Sequence, residues 1–332
     1  MPTDCITYQN SGYFSSLMKD YLDQKSNLHS LFHRFPTLEN FEDQILEKQK
    51  NFDNASRKTL VTVLQKQYST IESSVLTKQN IEALSLKNTF TVTTGHQLNL
   101  FSGPLYFLYK IISTINLTTQ LKAKYPENNF VPVYWMATED HDFEEINYFN
   151  FKEKNIQWEK ESNGPVGRLN TQGLDDVFDT FSSELGLGNN ANYLRDLFQK
   201  SYLEHDNLAD ATRYLTYKLF QKEGLVIVDG DDSELKKIFI PYAKNELLHQ
   251  TSFKKVNETL PLIKNYSIQV NPREINLFYI QDQLRERIIY ENGNYKINNT
   301  LLSFSESELL TELENNPENF SPNVILRPLY QE

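Results

Sequence analysis

Cysteine is almost missing from this chain of 332 residues, where Cys5 stands alone. One thiol can neither close an intramolecular disulfide nor build a zinc site, and such sparing use fits a reducing cytosol. Glycine and proline are scarce too, at 11 and 12, which excludes collagen-like and Pro/Gly-rich disordered classes. No apolar run approaches the ~20 residues that a membrane span requires. The opening residues 1–8 lack the basic start and apolar stretch of a secretory leader. Positive charge is in deficit, with 33 basic against 44 acidic residues and a net charge of −11. Such a surface repels phosphate backbones, so no nucleic-acid partner is expected, although one local basic pocket could still hold a small anion. The chain reads as cytoplasmic, with no membrane partner.

What is present is a globular composition, 39% hydrophobic and 13% aromatic, patterned as α/β. Residues 1–85 carry helical periods around Phe14–Leu22, Phe41–Phe52 and Ala55–Ser73, read as N-terminal helices packing on the core. The strongest unit follows in 86–147, the first half of a parallel-sheet core. Thr89–Thr93 and Val131–Met136 are strand-like, and Leu105 to about Tyr125 is an amphipathic helix with Leu105, Leu108, Ile112, Ile115 and Leu121 as its buried stripe. Thr94-Gly95 reads as a turn, and Ser102-Gly103-Pro104 as a capped helix start. Pro132 suggests that the second strand begins only after it.

Residues 148–215 read as an inserted connecting region, with short strands at Tyr148–Phe151 and Ile156–Glu159 and a helix over Asn192–Leu203. Residues 216–332 read as a continuation of the core that ends abruptly. A helix from Leu208 crosses that boundary and stops at Gly224, and Leu225–Val228 is a buried strand. Asp231, Asp232 and Ser233 offer caps for the next helix. Asn292-Gly293 turns a hairpin, Ser305 with Glu308 is a capping box, and the closing Val324–Leu329 is an apolar, strand-like segment.

Two polar clusters flank the β–α–β unit, Thr94-Gly95-His96-Gln97 and Glu139-Asp140-His141-Asp142. If the strands are parallel neighbours, both clusters lie at the carboxyl edge of one sheet, where open α/β folds bind ligands. Gly95 would admit a close ligand, and His96 and Gln97 could donate to an anion; the plainer alternative is an ordinary turn. The first cluster has neither Walker nor G-x-G-x-x-G spacing. The second concentrates three carboxylates and an imidazole, suited to a divalent metal, a general base or an amine-binding carboxylate. Capping acids with a structural histidine are the plainer alternative there. Lys110 reads as solvated, Arg168, Arg273 and Arg327 as surface ion pairs, and His29, His33, His205 and His249 as structural. Tyr106, Phe107, Tyr109 and Trp135 read as core or pocket wall.

The run Thr94 to Tyr106 with Tyr109–Ile112, the run Pro132 to Asn147, and Phe320 to Pro328 together resemble the bacillithiol biosynthesis cysteine-adding enzyme family. The resemblance spans the chain and is sharpest over 90–150 and near the end. It implies a Rossmann-type core similar to nucleotidylyltransferases, with connecting-peptide insertions. A coiled-coil arm that makes homodimers follows in the full-length family. This chain looks like an amino-terminal portion without that arm, so dimerisation and activity are expected of the longer protein. The implied reaction adds cysteine to the amine of glucosaminyl malate through an activated carboxylate, with ATP or another nucleotide as the expected activating partner and no resident metal.

On this reading Asp140, His141, Asp142 and His96 are the catalytic candidates, although many members carry Gln at the place of His96, which favours ligand positioning there. Thr94, Gly95, Gln97, Asn99, Ser102, Gly103, Trp135, Glu139 and Arg327 are candidates for substrate or nucleotide binding, Asn99 and Arg327 for the malate carboxylates. The alternatives are a metal-dependent hydrolase using His96, Asp140, His141 and Asp142, and a non-catalytic small-molecule-binding module.

Overall fold

A computed structural model describes residues 4–332; the first three of the opening residues considered above lie outside the described residues. The N-terminal helices are α1 (Ser16–Leu22), α2 (Phe41–Asn51), α3 (Asn54–Gln67) and α4 (Val75–Ala83). The core unit is β1 (Thr89–His96), α5 (Leu105–Lys124) and β2 (Asn129–Met136). The short helix α6 (Phe143–Ile146) and the hairpin β3 (Tyr148–Phe151) and β4 (Lys154–Gln157) follow. Then come α7 (Leu174–Glu184), α8 (Asn189–Phe198), α9 (Leu208–Phe220), β5 (Val226–Asp229), α10 (Ser233–His249) and α11 (Thr251–Thr259). The last part holds β6 (Leu277–Gln281), β7 (Leu284–Glu291), β8 (Asn294–Ile297), β9 (Ser303–Phe304), α12 (Glu306–Asn315), β10 (Phe320–Pro322) and α13 (Arg327–Gln331).

Strands β1, β2 and β5 form a parallel sheet in the order β1-β2-β5, with Gly95 beside Trp135 and Met136 beside Asp229. The central strand β2 is buried almost throughout, as its unbroken apolar run requires. It begins at Asn129, before Pro132, yet pairing with β5 starts only at Val133. The missing N–H of Pro132 therefore falls where the strand has one neighbour, not two. The outer edge of β5 is closed by side chains of the α3 end. Tyr68 Oη accepts from Ile227 N at 2.8 Å, and Gln67 both accepts from Asp229 N and donates to Asp229 O. Edge groups satisfied this way cannot recruit another strand.

Three expectations about this unit are corrected. The chain does not turn at Thr94-Gly95; β1 continues through His96. Helix α5 buries Phe107, Ile111, Thr114, Thr118 and Leu121, so the stripe is displaced from the expected one and Leu105 and Ile112 are exposed. Two threonines sit on that face because their hydroxyls bond back to Lys110 and Thr114 carbonyls. Ser102 does not cap α5, whose N-cap position is Pro104 with no side-chain hydrogen bond.

Residues 148–215 hold α7, where no helix was expected, beside α8 and a β3–β4 hairpin, whose first strand lies where expected and whose second begins at Lys154, not Ile156. A five-stranded antiparallel sheet, ordered β10-β6-β7-β8-β9, stands apart from the parallel sheet and packs on α10 and α12 around Tyr279, Ile288, Tyr295 and Leu309. Its β7–β8 turn is Asn292-Gly293, with φ of 53° and 84°, the left-handed pair that a two-residue hairpin requires. Ser305 and Glu308 form the capping box, and Asp232 caps α10. The closing apolar segment is no strand: after β10 the chain turns at Val324 to Leu326 and ends in α13, with Val324 and Leu329 exposed and Leu326 buried. Among the described residues no helix is long and apolar enough to cross a membrane.

Candidate active site

The two polar loops meet. Gln97, one residue beyond β1, donates from Nε2 to Glu145 Oε2 at 2.7 Å and lies 3.4 Å from Asp140 Oδ2. Asn99 Nδ2 donates to the Glu145 carbonyl at 3.3 Å. The parallel register puts the ends of β1 and β2 side by side, so their following loops share one mouth. Two later residues fix the second loop: Val166 N donates to Asp140 O and Gly167 N to Thr138 O. A Cβ at Gly167 would come within 2.6 Å of Thr138 Cβ, so only glycine allows that approach.

The first loop is built on unusual backbone. Phe101, Ser102 and Gly103 have φ of 46°, 69° and 52° in succession, and a Cβ at Gly103 would sit 2.5 Å from Asn99 Cβ. Phe101 N donates to the buried Tyr202 hydroxyl at 2.8 Å, which anchors the bend. The bend presents the start of α5, where Leu105 and Tyr106 are exposed and no side chain satisfies the first-turn N–H groups. Lys110, expected in solvent, is half-buried instead, and its ammonium donates to the Gly95 carbonyl. A helical side chain leans toward the helix N-terminus, so Lys110 reaches the strand end. Burial lowers its pKa. Tyr106 and Tyr109 are exposed, whereas Phe107 is core.

His96 is half-buried between Tyr106 and Phe107, with ring centroids 5.7 and 5.5 Å away. Its Nδ1 lies 3.2 Å from the Gln97 carbonyl. A carbonyl only accepts, so Nδ1 carries the proton and Nε2 keeps its lone pair; the Asn99 side chain also lies within hydrogen-bonding reach of the ring. Burial, with Lys110 nearby, lowers its pKa, which leaves the ring neutral near pH 7. Thr94 is half-buried in β1.

Asp140 is mostly buried, with 16% of its side chain exposed. Burial works to raise its pKa, yet His141, including its backbone N–H at 2.9 Å, and the guanidiniums of Arg285 and Arg327 hold it well below the usual carboxylate range. A carboxylate held so low is a weak base, so Asp140 is better suited to hold an ammonium than to deprotonate one. Asp142 is half-exposed, 3.7 Å from His141 Nδ1. Donor atoms of Asp140, His141 and Asp142 lie within 4.8 Å of one another. Arg285 Nη1, however, lies 2.7 Å from His141 Nδ1, which engages that nitrogen and brings positive charge where a metal hydrolase would need a cation.

Two candidates point elsewhere. Glu139 is buried and ion-paired with the buried Lys236, whose ammonium also donates to the Phe320 carbonyl; it joins the two sheets and is not free for a ligand. Trp135 is buried, edge-on to Tyr330 at 5.2 Å, and lines a cavity of about 540 Å³ on a face of the parallel sheet together with Thr93, Phe239 and Tyr242. None of the loop residues around Asp140 lines that cavity. Alternation along β2 decides this, because Trp135 and Tyr134 must face opposite sides.

Some site groups were not singled out from sequence. Arg285 on β7 gave no signal, since it reaches His141 across 144 residues. Asp229 did give one, ending a buried strand at the same sheet edge. It accepts from Thr138 Oγ1 and faces Arg213 at 3.6 Å, and burial, with Asp231 beside it, pushes its pKa up to about 6 against the pull of Arg213. Arg168 is taken up by Asp231, through a two-pronged pair at 2.7 and 2.8 Å. Arg327 opens α13, half-buried, and its guanidinium makes no hydrogen bond among the described residues.

Residues 1–332 match the description "Bacillithiol biosynthesis BshC, N-terminal Rossmann-like domain". The chain belongs to the BshC family. It is 69% identical over its whole length to a Flavobacterium johnsoniae protein named "Putative cysteine ligase BshC", and 56% identical to one of the same name from Christiangramia forsetii. A Bacillus thuringiensis relative so named is 30% identical over 95% of the chain. The chain spans 63% of the length of the first two relatives and 61% of the third. The Rossmann-like description agrees with the parallel β1-β2-β5 sheet.

Proposed function

We propose that the crevice between the β1 and β2 loops is the reaction site of a bacillithiol-forming ligase, which joins the carboxyl group of cysteine to the amine of glucosaminyl malate. One observation carries the reading: Gln97 reaches Glu145 and Asp140, so a single small molecule can touch both loops. The names of the relatives, each printed as "Putative cysteine ligase BshC", point the same way. Amide formation from a free carboxylate is uphill in water, so the acyl group must arrive activated. Asp140, ionised over the whole neutral range, holds the attacking ammonium. Neutral His96, with its lone pair on Nε2, is the better acceptor for its proton.

We assign ATP or another nucleotide to the other side of the crevice. The uncapped first turn of α5 and the Lys110 ammonium are the groups that would hold its phosphates, since a helix start favours anions. When bound, it would supply the activation of the cysteine carboxyl. The first turn is open to such a group because Leu105 and Tyr106 are exposed. Divisions near residues 85, 147 and 215, a cytoplasmic setting with Cys5 reduced, and homodimerisation through parts of the longer protein complete the reading.

The test uses the full-length protein. Asp140→Ala with His141→Ala should abolish bacillithiol accumulation in cells that depend on it, with circular dichroism unchanged. Wild-type thiol levels from the folded double variant remove this cluster from the reaction. Ligand binding without turnover in the purified wild type would leave a binding module instead.

A further inference from the structure

Arg285 enters the crevice from the second sheet. Its guanidinium lies over the Phe278 ring, 3.9 Å from the centroid, a diagonal pair across β6 and β7. The residue is only 7% exposed, and its Nε is buried with no hydrogen-bond partner. The packing therefore holds the guanidinium in place, and Nη1 sits 2.7 Å from His141 Nδ1. Arginine has donors only, so that nitrogen must present its lone pair.

Carboxylates compete for the same nitrogen. Asp140 Oδ1 takes the His141 backbone N–H at 2.9 Å and lies 3.5 Å from Nδ1, and Asp142 faces that atom at 3.7 Å. Both contacts are longer than the 2.7 Å one to the guanidinium, and Arg327 adds a second positive charge toward Asp140 and Arg285. The His141 side chain is 45% exposed and lines a cleft with Asp142, Glu144, Glu145 and Lys160. We propose that Arg285 is a positioning residue that fixes His141 as the neutral tautomer protonated on Nε2, so that the ring offers the crevice a hydrogen-bond donor and not a base. The partner of that donor is an oxygen of the bound acyl or carboxylate group. His96, protonated on Nδ1, has the opposite tautomer, so the two imidazoles have opposite roles.

The target of the donor rests on the ligase reading; the tautomer does not. The full-length protein labelled with 15N-histidine, with His141→Gln to assign the signal, reports the proton directly by long-range 1H–15N correlation. The expected wild-type spectrum has Nε2 protonated and Nδ1 bare near neutral pH. Arg285→Lys, still a donor, should keep it. Arg285→Met should mix the tautomers and lower kcat about 10- to 100-fold with KM nearly unchanged, because the donor is no longer aimed. A wild-type signal with the proton on Nδ1 overturns the inference without relying on any variant folding. So does an Arg285→Met protein that keeps both tautomer and kcat. If Asp140→Ala leaves bacillithiol formation intact while the Nε2–H tautomer stands, the ligase site falls and this inference survives.

Discussion

Removing one member of the Lys236–Glu139 pair should be far costlier than removing both. The Lys236 side chain is 1% exposed and that of Glu139 7%, and the ammonium has two acceptors, the carboxylate and the Phe320 carbonyl. Glu139→Leu leaves a buried ammonium with one neutral acceptor. Lys236→Met leaves a buried carboxylate with no hydrogen-bonded cation. Either case costs about 3–5 kcal/mol, against a total stability on the order of 5–15 kcal/mol for a folded domain. The pair Glu139→Leu with Lys236→Met replaces charge by apolar groups of similar length, and should lie within about 1 kcal/mol of wild type or above it. Urea unfolding of the four proteins at pH 7 gives the cycle, with midpoints compared at constant m. Single variants that cost under about 1 kcal/mol, or a double variant as damaged as the sum of the singles, would show that the pair is solvated and that Glu139 is free to meet a ligand.

Gly103→Ala should destabilise by about 1–3 kcal/mol, because its φ is 52° and the new Cβ would meet Asn99; thermal unfolding that matches wild type would mean that the bend relaxes freely. Asp140→Asn bears on pH. The folded carboxyl titrates below its unfolded value of about 3.9, so its contribution is full above that value and fades as pH falls through the folded one. The variant should therefore melt below wild type at pH 6–7, with the gap closing toward about pH 2–3. A constant gap across that range contradicts the pairing with Arg285 and Arg327.

Much of the fold is legible because its signals are local. The β-branched run before Gly95, the apolar run ending at Met136 and the helical period between them set β1, α5 and β2. The Asn292-Gly293 turn and the Ser305–Glu308 box were readable for the same reason: each is a few residues satisfying their own backbone groups. The phase of α5 was not. Thr114 and Thr118 look polar in sequence and are buried because their hydroxyls bond within the helix. The final apolar segment has no period that separates a strand from a turn and helix, and burial of Leu326 alone satisfies it.

The sequence by itself determined the family, the α/β core and the presence of two polar loops at one sheet edge, since strand order and register follow from a single β–α–β crossover. Only the tertiary structure decided which loop residues are free. Glu139 is claimed by Lys236 across 97 residues, His141 by Arg285 across 144, and Trp135 by the far side of the sheet. The first two assignments depend on α10 and the second sheet reaching the β2 loop, and a contact between distant elements leaves no periodic trace in either.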